Sequence, residues 1–492
     1  MKRKEKVLLL TCPSQIPKTY IPRKFAPLGM AYVASVLLKN GYEVSIYDPL
    51  AKHFDTIKEV DETFFRVGAN EDVIADVIAK FNPDIVGIST IFTGDGPQAH
   101  HLARLVKSFS SEIPTIVGGY YPFTMPERAL RDDNIDYIVM GEGDHAMLQF
   151  VEFLNGKGDL PDQIFTAKNR SKIVKGAFPL VKDLDNIPMP ARHLLHMDEY
   201  FDFLQNGEPY RPFRNPCATV LASRGCPLFC TFCSRTAELG NNYEQRTVEN
   251  LRLEIEHLIS EYGVKEIYFI DDNLILKPRF TLALTDMLSD YDLTWYMMSG
   301  TWVSSLSNEI IDRLRESGLY RLRFNLESAI PATLKSMRKP IKLDKVKKLI
   351  EHAQSVGLKT QGQFMIGYPN ETIDEINESA KWIQDCDFDY TTFGIATPYP
   401  GTTLYKEVKE LGYLLNDEDV DHFKMYNGSG RIKTPHFGPD DMNELRKKLW
   451  KQMNFSSPEK INSARSLLDP NYNGSNESEL TKKILNFSED IS

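Results

Sequence analysis

The chain has 492 residues, of which 42% are apolar and 26% are charged, and its formal net charge is −10. This composition is typical of a soluble globular protein and excludes collagen-like, mucin-like and wholly disordered chains. The acidic balance disfavours nucleic acid as a partner, and no apolar stretch approaches the roughly 18 residues of a membrane span, so we expect a cytoplasmic protein with no membrane span.

The first 150 residues alternate short apolar strands with amphipathic helices. Strands are predicted at 7–10, 43–47, 83–90, 115–119 and 136–140, and helices at 27–38, 72–81 and 97–110. Such alternation predicts a parallel sheet that helices cover on both faces. Ligands bind such sheets at the carboxyl ends of the strands.

A second α/β block follows residues 155–215, which are rich in Gly, Pro, Lys and Asp and predict a linker. Its predicted strands are 219–222, 266–270, 293–298, 321–326, 359–366 and 390–396, and its predicted helices are 247–262, 278–290, 307–318, 331–338, 343–356 and 371–385. About six βα units predict a partial or full βα barrel. Residues 404–453 are predicted to be helical or mixed. The tail from about 455 is predicted to form a peripheral helix with frayed ends.

The cysteines are few but clustered. The six of them (Cys12, Cys217, Cys226, Cys230, Cys233 and Cys386) are too few for a disulfide scaffold. The spacing C-x3-C-x2-C of the central three falls directly after the first strand of the second block, where a barrel places its active site. Three thiolates on one loop can hold three corners of a 4Fe–4S cluster and leave one iron open. The alternative is a zinc site completed by Cys217 or a histidine, although the sequence lacks a second CxxC-type pair.

This spacing on such a loop resembles the radical SAM superfamily, and the resemblance extends over residues 219–405. It implies that Cys226, Cys230 and Cys233 ligate a 4Fe–4S cluster. S-adenosylmethionine (SAM) would chelate the open iron, and its reductive cleavage would give a 5′-deoxyadenosyl radical. An electron donor such as flavodoxin or ferredoxin is therefore an expected partner.

Further segments around residues 270–273, 325–328, 364–371 and 397–402 resemble strand ends of the same family. The resemblance implies SAM contacts for Phe232, Glu327, Gly367 and Pro369. Loop packing explains Phe232 equally well, and the Glu327 carboxylate could instead cap a helix. The chain departs from the family pattern at Trp302, where Arg is frequent, and at Asn370, where Gly is usual.

The N-terminal block has no G-x-G-x-x-G after its first strand, so a dinucleotide site is disfavoured. Its segments 27–33, 41–48, 83–89, 117–122 and 141–143 resemble the cobalamin-binding domain that precedes the barrel in class B radical SAM methyltransferases. The cobalamin-binding residues that the resemblance implies are Cys12, Pro27, Leu28, Gly29, Ser89, Gly118, Gly119, Gly141 and Glu142. Gly118 and Gly119 would admit the nucleotide tail, unless turn geometry alone requires these glycines, and Cys12 could be a structural thiol.

A D-x-H-x-x-G segment, whose histidine ligates cobalt in the wider cobalamin-binding group, is absent. Either cobalt binds without a histidine ligand or the domain has lost cobalamin, and we expect His100 and His101 to lie on a helix surface. The related methylthiotransferases carry three further cluster cysteines in this domain, whereas this chain has only Cys12 there, which argues against that activity.

The resulting expectation is an α/β protein with a Rossmann-like cobalamin-binding domain, a partial (βα)6 TIM-type radical SAM barrel and a small C-terminal helical region. The predicted boundaries are 1–150 for the cobalamin domain, 151–215 for a linker, 216–405 for the barrel and 406–492 for a substrate cap. A length of 492 residues at roughly 100–200 residues per domain agrees with two to four domains.

The resemblance implies an enzyme that methylates an unactivated carbon, or phosphorus, of a small molecule, natural product or lipid. One SAM would remethylate cobalamin and a second would supply the radical. The alternatives are a non-methylating enzyme of the anaerobic magnesium-protoporphyrin ester cyclase type and, from another class, a zinc-stabilised binding protein. Substrate contacts are expected in 390–405 and 406–453, where Tyr426 and His436 are candidates.

Overall fold

The computed structural model forms two compact units. The first unit comprises Met1–Phe203 with the short segments Ala237–Glu244 and Val420–Lys424, and the second comprises the rest of the chain. The structure describes residues 5–18, 23–173, 178, 180–206, 211–235, 242–415 and 430–468.

The first unit is built on a six-stranded sheet in the order β3-β1-β6-β7-β8-β9. In chain order the elements are β1 (Lys6–Thr11), β2 (Ser14–Pro17), α1 (Leu28–Lys39), β3 (Glu43–Tyr47), β4 (Ile57–Glu59), β5 (Phe64–Val67), α2 (Glu71–Phe81), β6 (Ile85–Thr90), α3 (Gly96–Phe109), β7 (Thr115–Gly119), α4 (Tyr120–Thr124), α5 (Pro126–Ala129), β8 (Tyr137–Val139), α6 (Gly143–Leu154), β9 (Ile164–Phe165) and α7 (Met197–Asn206). Strands β1, β3, β6, β7 and β8 are parallel, as predicted.

The apolar run of β1 serves both faces of this sheet. Val7 and Leu9 pack into a core on one face, whereas Leu8 and Leu10 pack into the core on the other. Because successive side chains of a strand point to opposite faces, a strand covered on both sides must be apolar at every position. This is why the sequence signal for β1 is a continuous apolar run.

Two features of the first unit had no clear sequence signal. Strands β2, β5 and β4 form a separate antiparallel sheet. Within the segment predicted as a linker, β9 pairs antiparallel with β8 at the sheet edge, and Ser35 and Ala31 of α1 hydrogen-bond Pro188 and Ala191. The predicted linker therefore packs on the first unit, and its boundaries stay predictions.

The second unit contains the predicted barrel strands. Its elements are β10 (Cys217–Val220), β11 (Ser223–Gly225), β12 (Tyr243–Gln245), α8 (Val248–Tyr262), β13 (Glu266–Phe269), α9 (Pro278–Leu288), β14 (Thr294–Met297), α10 (Asn308–Glu316), β15 (Arg321–Glu327), α11 (Pro331–Ser336), α12 (Leu343–Ser355), β16 (Lys359–Ile366), α13 (Ile373–Asp385), β17 (Tyr390–Ile395), α14 (Thr403–Glu410), α15 (Pro439–Asn454) and α16 (Pro458–Leu468). Strands β10-β13-β14 and β15-β16-β17 form two parallel three-stranded sheets. Two parallel bridges, Trp295 to Leu319 and Thr301 to Phe324, connect them, which gives the partial (βα)6 barrel predicted from the sequence.

The C-terminal helices cover the free edge of β17. The side-chain amide of Asn454 accepts from the N–H of Thr391 at 2.8 Å and donates to its carbonyl oxygen at 2.9 Å, as a neighbouring strand would. Ala464 and Leu467 of α16 pack with Tyr390. The predicted tail helix is thus present as far as Leu468, and it is packed rather than peripheral.

Candidate active site

The carboxyl ends of the parallel strands in the first unit bring several predicted cobalamin-binding residues to one edge. Thr11 is paired in register with Ser89, and Ser89 is paired with Gly118. Cys12 directly follows β1, and Gly119 ends β7. Four of the predicted residues therefore lie at the edge where α/β sheets bind ligands.

Close packing requires two of these glycines. Gly119 has φ of +91°, and a Cβ there would lie 2.0 Å from the carbonyl oxygen of Thr90. A Cβ on Gly118 would lie 2.8 Å from Cγ1 of Val139. The protein itself fills the space that a side chain would take, which favours the turn-and-packing explanation over room for a nucleotide tail.

Gly141 and Glu142 follow β8 and face the segment after α6. Gly141 has φ of +90°, and a Cβ there would lie 3.0 Å from Cβ of Phe178. The Glu142 carboxylate accepts a hydrogen bond from the N–H of Val181. Both residues hold this segment against the sheet.

The remaining predicted cobalamin residues begin α1. Pro27 and Leu28 are buried, whereas Gly29 is exposed. A Cβ added to Gly29 would meet no atom within 4 Å. Of the glycines predicted for cobalamin, Gly29 therefore leaves open space beside the backbone.

Two large apolar side chains are exposed to solvent beside this edge. Ile91 and Phe92, in the loop after β6, are 49% and 67% exposed. Asp95 holds the loop, because its carboxylate accepts from the N–H of Phe92 at 2.8 Å, and burial raises the pKa of Asp95 to about 7. Burial, with the charge of Asp95, raises the pKa of the Cys12 thiol well above its usual value. An exposed apolar surface at a ligand-binding edge fits a large flat corrinoid.

His100 is partly buried, so the expectation of a helix-surface residue was wrong for it. Its Nδ1 lies 2.7 Å from Oδ2 of Asp132, and its Nε2 lies 2.6 Å from the hydroxyl of Tyr121. Both ring nitrogens are therefore engaged within the protein. His101 is more exposed and lies 3.2 Å from Glu71.

The structure separates the six cysteines into two groups. Three are buried and three are partly exposed, and none of the six forms a disulfide. The buried group is Cys12, Cys217 and Cys386, and the partly exposed group is Cys226, Cys230 and Cys233. The accessible thiols are thus those of the C-x3-C-x2-C loop, as a ligand set requires.

The three loop thiols act on one another electrostatically. Burial raises the pKa of Cys226, and the charge of Cys233 raises it further. Burial raises the pKa of Cys230 to about 12, and the neighbouring Lys339 opposes this. Across the described residues, no three histidine, cysteine or acidic side chains are arranged around a single metal ion. Three thiols of one loop that lie within electrostatic reach of one another suit the ligand set of an iron–sulfur cluster.

Thr231 ties the cysteine loop to three other elements. Its N–H donates to the carbonyl oxygen of Met337 at 3.1 Å, and its carbonyl oxygen accepts from the N–H of Leu404 at 2.9 Å. Its hydroxyl shares a hydrogen bond of 2.5 Å with that of Tyr368. Thr231 therefore anchors the loop through three hydrogen bonds, which favours a preorganised site.

A buried ion pair lies beside the loop. Nζ of Lys339 lies 2.7 Å from Oε1 of Glu327, and the two side chains are 7% and 9% exposed. The same Nζ lies 6.0 Å from the ring centre of Phe232. Two of the residues predicted to bind SAM thus lie beside one lysine and close to Cys230.

The strand end after β13 holds the other side of the loop. The carboxylate of Asp271 accepts from the hydroxyl of Ser223 at 2.5 Å and from the N–H of Ala222 at 3.1 Å. Burial raises the pKa of Asp271 to about 7. A hydrogen bond from Asn273 lowers the pKa of Cys226, while Oδ1 of Asn273 is buried with no partner.

Gly367 and Pro369 shape the turn after β16. Gly367 has φ of +78°, and a Cβ there would lie 3.0 Å from Sδ of Met442. Pro369 is buried. The Glu371 carboxylate closes the turn by accepting from the N–H of Tyr368 at 2.9 Å, and burial raises its pKa to about 7. The predicted tight turn is present, and its contact with SAM stays a prediction.

Sequence reasoning missed Ile91, Phe92 and Lys339. Two apolar residues directly after a parallel strand were a usable signal for the first pair. No sequence signal pointed to Lys339, because its partner Glu327 is twelve residues away across α11. Of the suggested substrate contacts, His436 is exposed, and Tyr426 lies outside the described residues.

Comparisons with known proteins agree with this geometry. Residues 18–151 match the family model "B12 binding domain", and residues 220–383 match "Radical SAM superfamily". The chain is 31% identical over 466 residues to cytidylyl-2-hydroxyethylphosphonate methyltransferase of Streptomyces wedmorensis, covering 88% of this chain and 87% of that protein. It is 25% identical over 433 residues to the anaerobic magnesium-protoporphyrin IX monomethyl ester cyclase of Rubrivivax gelatinosus, covering 86% and 71%.

A solved structure shares the fold. The radical SAM methyltransferase TsrM of Kitasatospora setae, solved with cobalamin and a [4Fe-4S] cluster bound, superposes with a TM-score of 0.67 at 16% identity. The match covers 95% of this chain and 90% of that one. The predicted fold class is confirmed.

The chain belongs to the radical SAM superfamily, in the class whose barrel is preceded by a cobalamin-binding domain. It is therefore an enzyme whose cofactors are a 4Fe–4S cluster, SAM and cobalamin, and the zinc-stabilised alternative was wrong. None of the helices that the structure describes is both long enough and apolar enough to cross a membrane.

Proposed function

We propose that this enzyme methylates an unactivated carbon of a small-molecule substrate, with SAM as the source of the methyl group. The supporting observation is the preorganised thiol loop beside the buried Lys339–Glu327 pair, in a chain related over most of its length to a methyltransferase. When bound, the cluster and SAM supply radical chemistry and cobalamin supplies a methyl carrier. Methylation at phosphorus is an alternative form of the same function, and product analysis distinguishes it from methylation at carbon.

In this proposal Cys226, Cys230 and Cys233 hold the cluster. Their half-burial lowers the exposure of the site to water, and Lys339 places a positive charge beside Cys230. Phe232 and Glu327 would contact SAM. Both lie beside Lys339, which neighbours the thiol of Cys230. Gly367 and Pro369 position the neighbouring turn.

Cobalamin would bind the carboxyl edge of the first sheet. Ile91 and Phe92 would supply the apolar surface, and the backbone at Ser89, Gly118 and Gly119 would form the rim. Cys12, Pro27, Leu28, Gly141 and Glu142 would support these loops from below or from the side. Gly29 would leave room beside α1, because its Cβ position is open.

The chemistry also requires a reduced environment and an electron source. All six cysteines are free thiols, which favours a cytoplasmic location, where thiols stay reduced. We infer a flavodoxin or a ferredoxin as the one-electron donor, because the cluster can deliver only electrons that it receives.

Product analysis tests the proposal. The enzyme, reconstituted anaerobically with iron, sulfide and cobalamin, is incubated with SAM, a reductant and a small-molecule cell extract. We expect a product one methylene unit heavier than its precursor, shifted further when SAM carries a trideuteromethyl group. A Cys230→Ala variant is the matched control and should give no such product. Transformation of an extract component without label from SAM would contradict methylation and favour the cyclase type.

A further inference from the structure

The inner face of the barrel carries a layer of polar side chains on β15, β16 and β17. On β15, Leu322 and Phe324 are fully buried, and the Phe324 ring packs on Phe388 in the outer layer. Because side chains alternate along a strand, Arg323 and Asn325 face the interior. The guanidinium of Arg323 accordingly lies 5.9 Å from the ring centre of Tyr296 on β14.

Strand register places these polar residues side by side. Arg323 is paired with Gln361, and Asn325 is paired with Gln363. Gln363 is paired in turn with Thr392 of β17, whose hydroxyl donates to Oε1 of Gln363 at 2.5 Å. Three adjacent strands thus present amide, hydroxyl and guanidinium groups to one lumen.

Several of these groups lack a protein partner. Gln361 is 1% exposed, and neither its Nε2 nor its Oε1 is hydrogen-bonded. Nε of Arg323, Oδ1 of Asn325 and the hydroxyl of Tyr296 are also buried without a partner. Folded proteins rarely leave such atoms unpaired, and a concentration of them indicates a place that water, an ion or a ligand completes.

The charge of this layer is positive and unbalanced. Nη1 of Arg323 donates to the carbonyl oxygen of Met298 at 2.7 Å. In the described part of the chain, no carboxylate forms an ion pair with Arg323. A guanidinium that is shielded from water and lacks a counter-ion is costly, so this position favours an anion.

The layer lies below the cluster end of the barrel. Glu327 marks that end, because its carboxylate acts on the thiol of Cys230. Arg323 precedes Glu327 by four residues, which on a strand is about 13 Å. An anion at Arg323 is therefore separated from the level at which SAM would meet the cluster.

We propose that Arg323, Gln361 and Tyr296 form a subsite for a phosphonate or phosphate group of the substrate. Each contributes an N–H or O–H donor from a different strand, which suits a group with three terminal oxygens better than a planar carboxylate. Gln363 and Thr392 continue the polar surface toward the cluster end. The inference rests on the proposed function, since it assigns the substrate to the barrel lumen.

Binding of small anions to the cofactor-loaded enzyme tests the subsite. The probes are methylphosphonate and methyl phosphate, followed by phosphorus NMR, and the cationic control is tetramethylammonium, followed by proton NMR. We expect saturable binding of at least one anion that Arg323→Met weakens about tenfold or more. Arg313→Met, which removes a partly exposed guanidinium paired with Asp286, should leave binding unchanged. The tighter of the two anions identifies the phosphonate or the phosphate source.

Gln361→Leu distinguishes an anion-binding role of Gln361 from a purely structural one, because the two roles predict opposite changes in Tm. Removing a buried amide without partners should raise the Tm by about 2–4 °C while weakening anion binding. A lower Tm with unchanged binding would overturn the assignment, as would a wild-type enzyme that binds neither anion because the lumen holds only water.

The result is independent of the methyltransferase proposal, because probe binding needs no cleavage of SAM. Binding through Arg323 without any methyl transfer would overturn the proposed function alone. Methyl transfer without anion binding would overturn the subsite alone.

Discussion

Nζ of Lys339 lies 2.7 Å from Oε1 of Glu327, and less than a tenth of either side chain is exposed. Glu327 ends β15 at a register shift and has φ of +67°, a conformation that few residues other than glycine adopt. Strained backbone with a buried charge pair is a common feature of functional sites. Lys339 thus places a positive charge next to the thiol loop.

Replacing Lys339 should lower the stability of the protein, because Glu327 then loses its counter-charge. Lys339→Met leaves the Glu327 carboxylate buried without a counter-charge and should lower the free energy of unfolding by about 3–5 kcal/mol. The exposed Lys335 on α11 is the matched control, and Lys335→Met should change stability by less than about 0.5 kcal/mol. Adding Glu327→Gln to Lys339→Met should recover much of the loss in denaturant titrations. An additive double variant would show that the two charges do not interact.

Iron content should depend on three of the six cysteines. Alanine at Cys226, Cys230 or Cys233 should reduce the iron retained after anaerobic reconstitution from about four per chain to well below one. Cys386→Ala removes a thiol that is 3% exposed and distant in sequence, so it should keep full iron at a modest cost in stability. Equal iron loss in Cys386→Ala would contradict the ligand assignment.

Asp271 should make stability fall as the pH rises. Burial raises its pKa to about 7 when folded, whereas the unfolded carboxyl titrates near about 4. Between these values the folded state holds a proton that the unfolded chain has released, so stability falls by up to about 1.4 kcal/mol per pH unit and levels off above about pH 7. Asp271→Asn should lower this slope by up to that amount in urea titrations and leave the contributions of Asp95 and Glu371, whose pKa values burial also raises to about 7. Asn at the exposed Asp385 should leave the slope unchanged. A wild-type slope retained in Asp271→Asn would refute the assignment.

Gly119 should be required for folding even without cobalamin. Gly119→Ala adds a Cβ only 2.0 Å from the Thr90 carbonyl oxygen, whereas Gly41→Ala, at φ of +86°, meets no atom within 4 Å. The Gly41 variant should lose about 1–2 kcal/mol from backbone conformation alone, and the Gly119 variant should lose clearly more. Equal losses in cobalamin-free protein would instead point to the corrinoid as the reason for this glycine.

The amide of Asn454 should protect the edge of β17. Asn454→Ala leaves both backbone groups of Thr391 unpaired in a buried position and should cost about 2 kcal/mol. Amide hydrogen exchange at Thr391 should accelerate in this variant. Lys447→Ala, on the exposed side of the same helix, should leave that exchange unchanged. Protection that survives in Asn454→Ala would show that another group covers the edge.

The parts of the fold that follow from local patterns could be predicted from the sequence. The apolar run at 7–10 and the polar and apolar spacing of 343–356 each reflect packing on neighbouring elements, so strand and helix are evident without tertiary knowledge. Short strands such as β4, whose three residues are all exposed, carry no such pattern. The antiparallel sheet of the first unit was missed for this reason.

The candidate site also has residues that a local sequence pattern predicts and residues that it does not. Cys226, Cys230 and Cys233 are neighbours in sequence, and their spacing alone indicates a shared ligand. The pairing of Arg323 with Gln361 depends on the register between β15 and β16, which no local pattern specifies. Gly119 was predicted as a cobalamin contact from the family resemblance alone. Its packing role could not be predicted, because its proximity to Thr90 becomes visible only once β6 and β7 are paired.

The most direct test of the methyltransferase proposal is the simultaneous measurement of 5′-deoxyadenosine and S-adenosylhomocysteine during turnover by the reconstituted enzyme. The proposal predicts that both accumulate together with methylated product when cobalamin, SAM and a reductant are present, and that neither does so in Cys230→Ala. Accumulation of 5′-deoxyadenosine with converted substrate, but without S-adenosylhomocysteine, would contradict it.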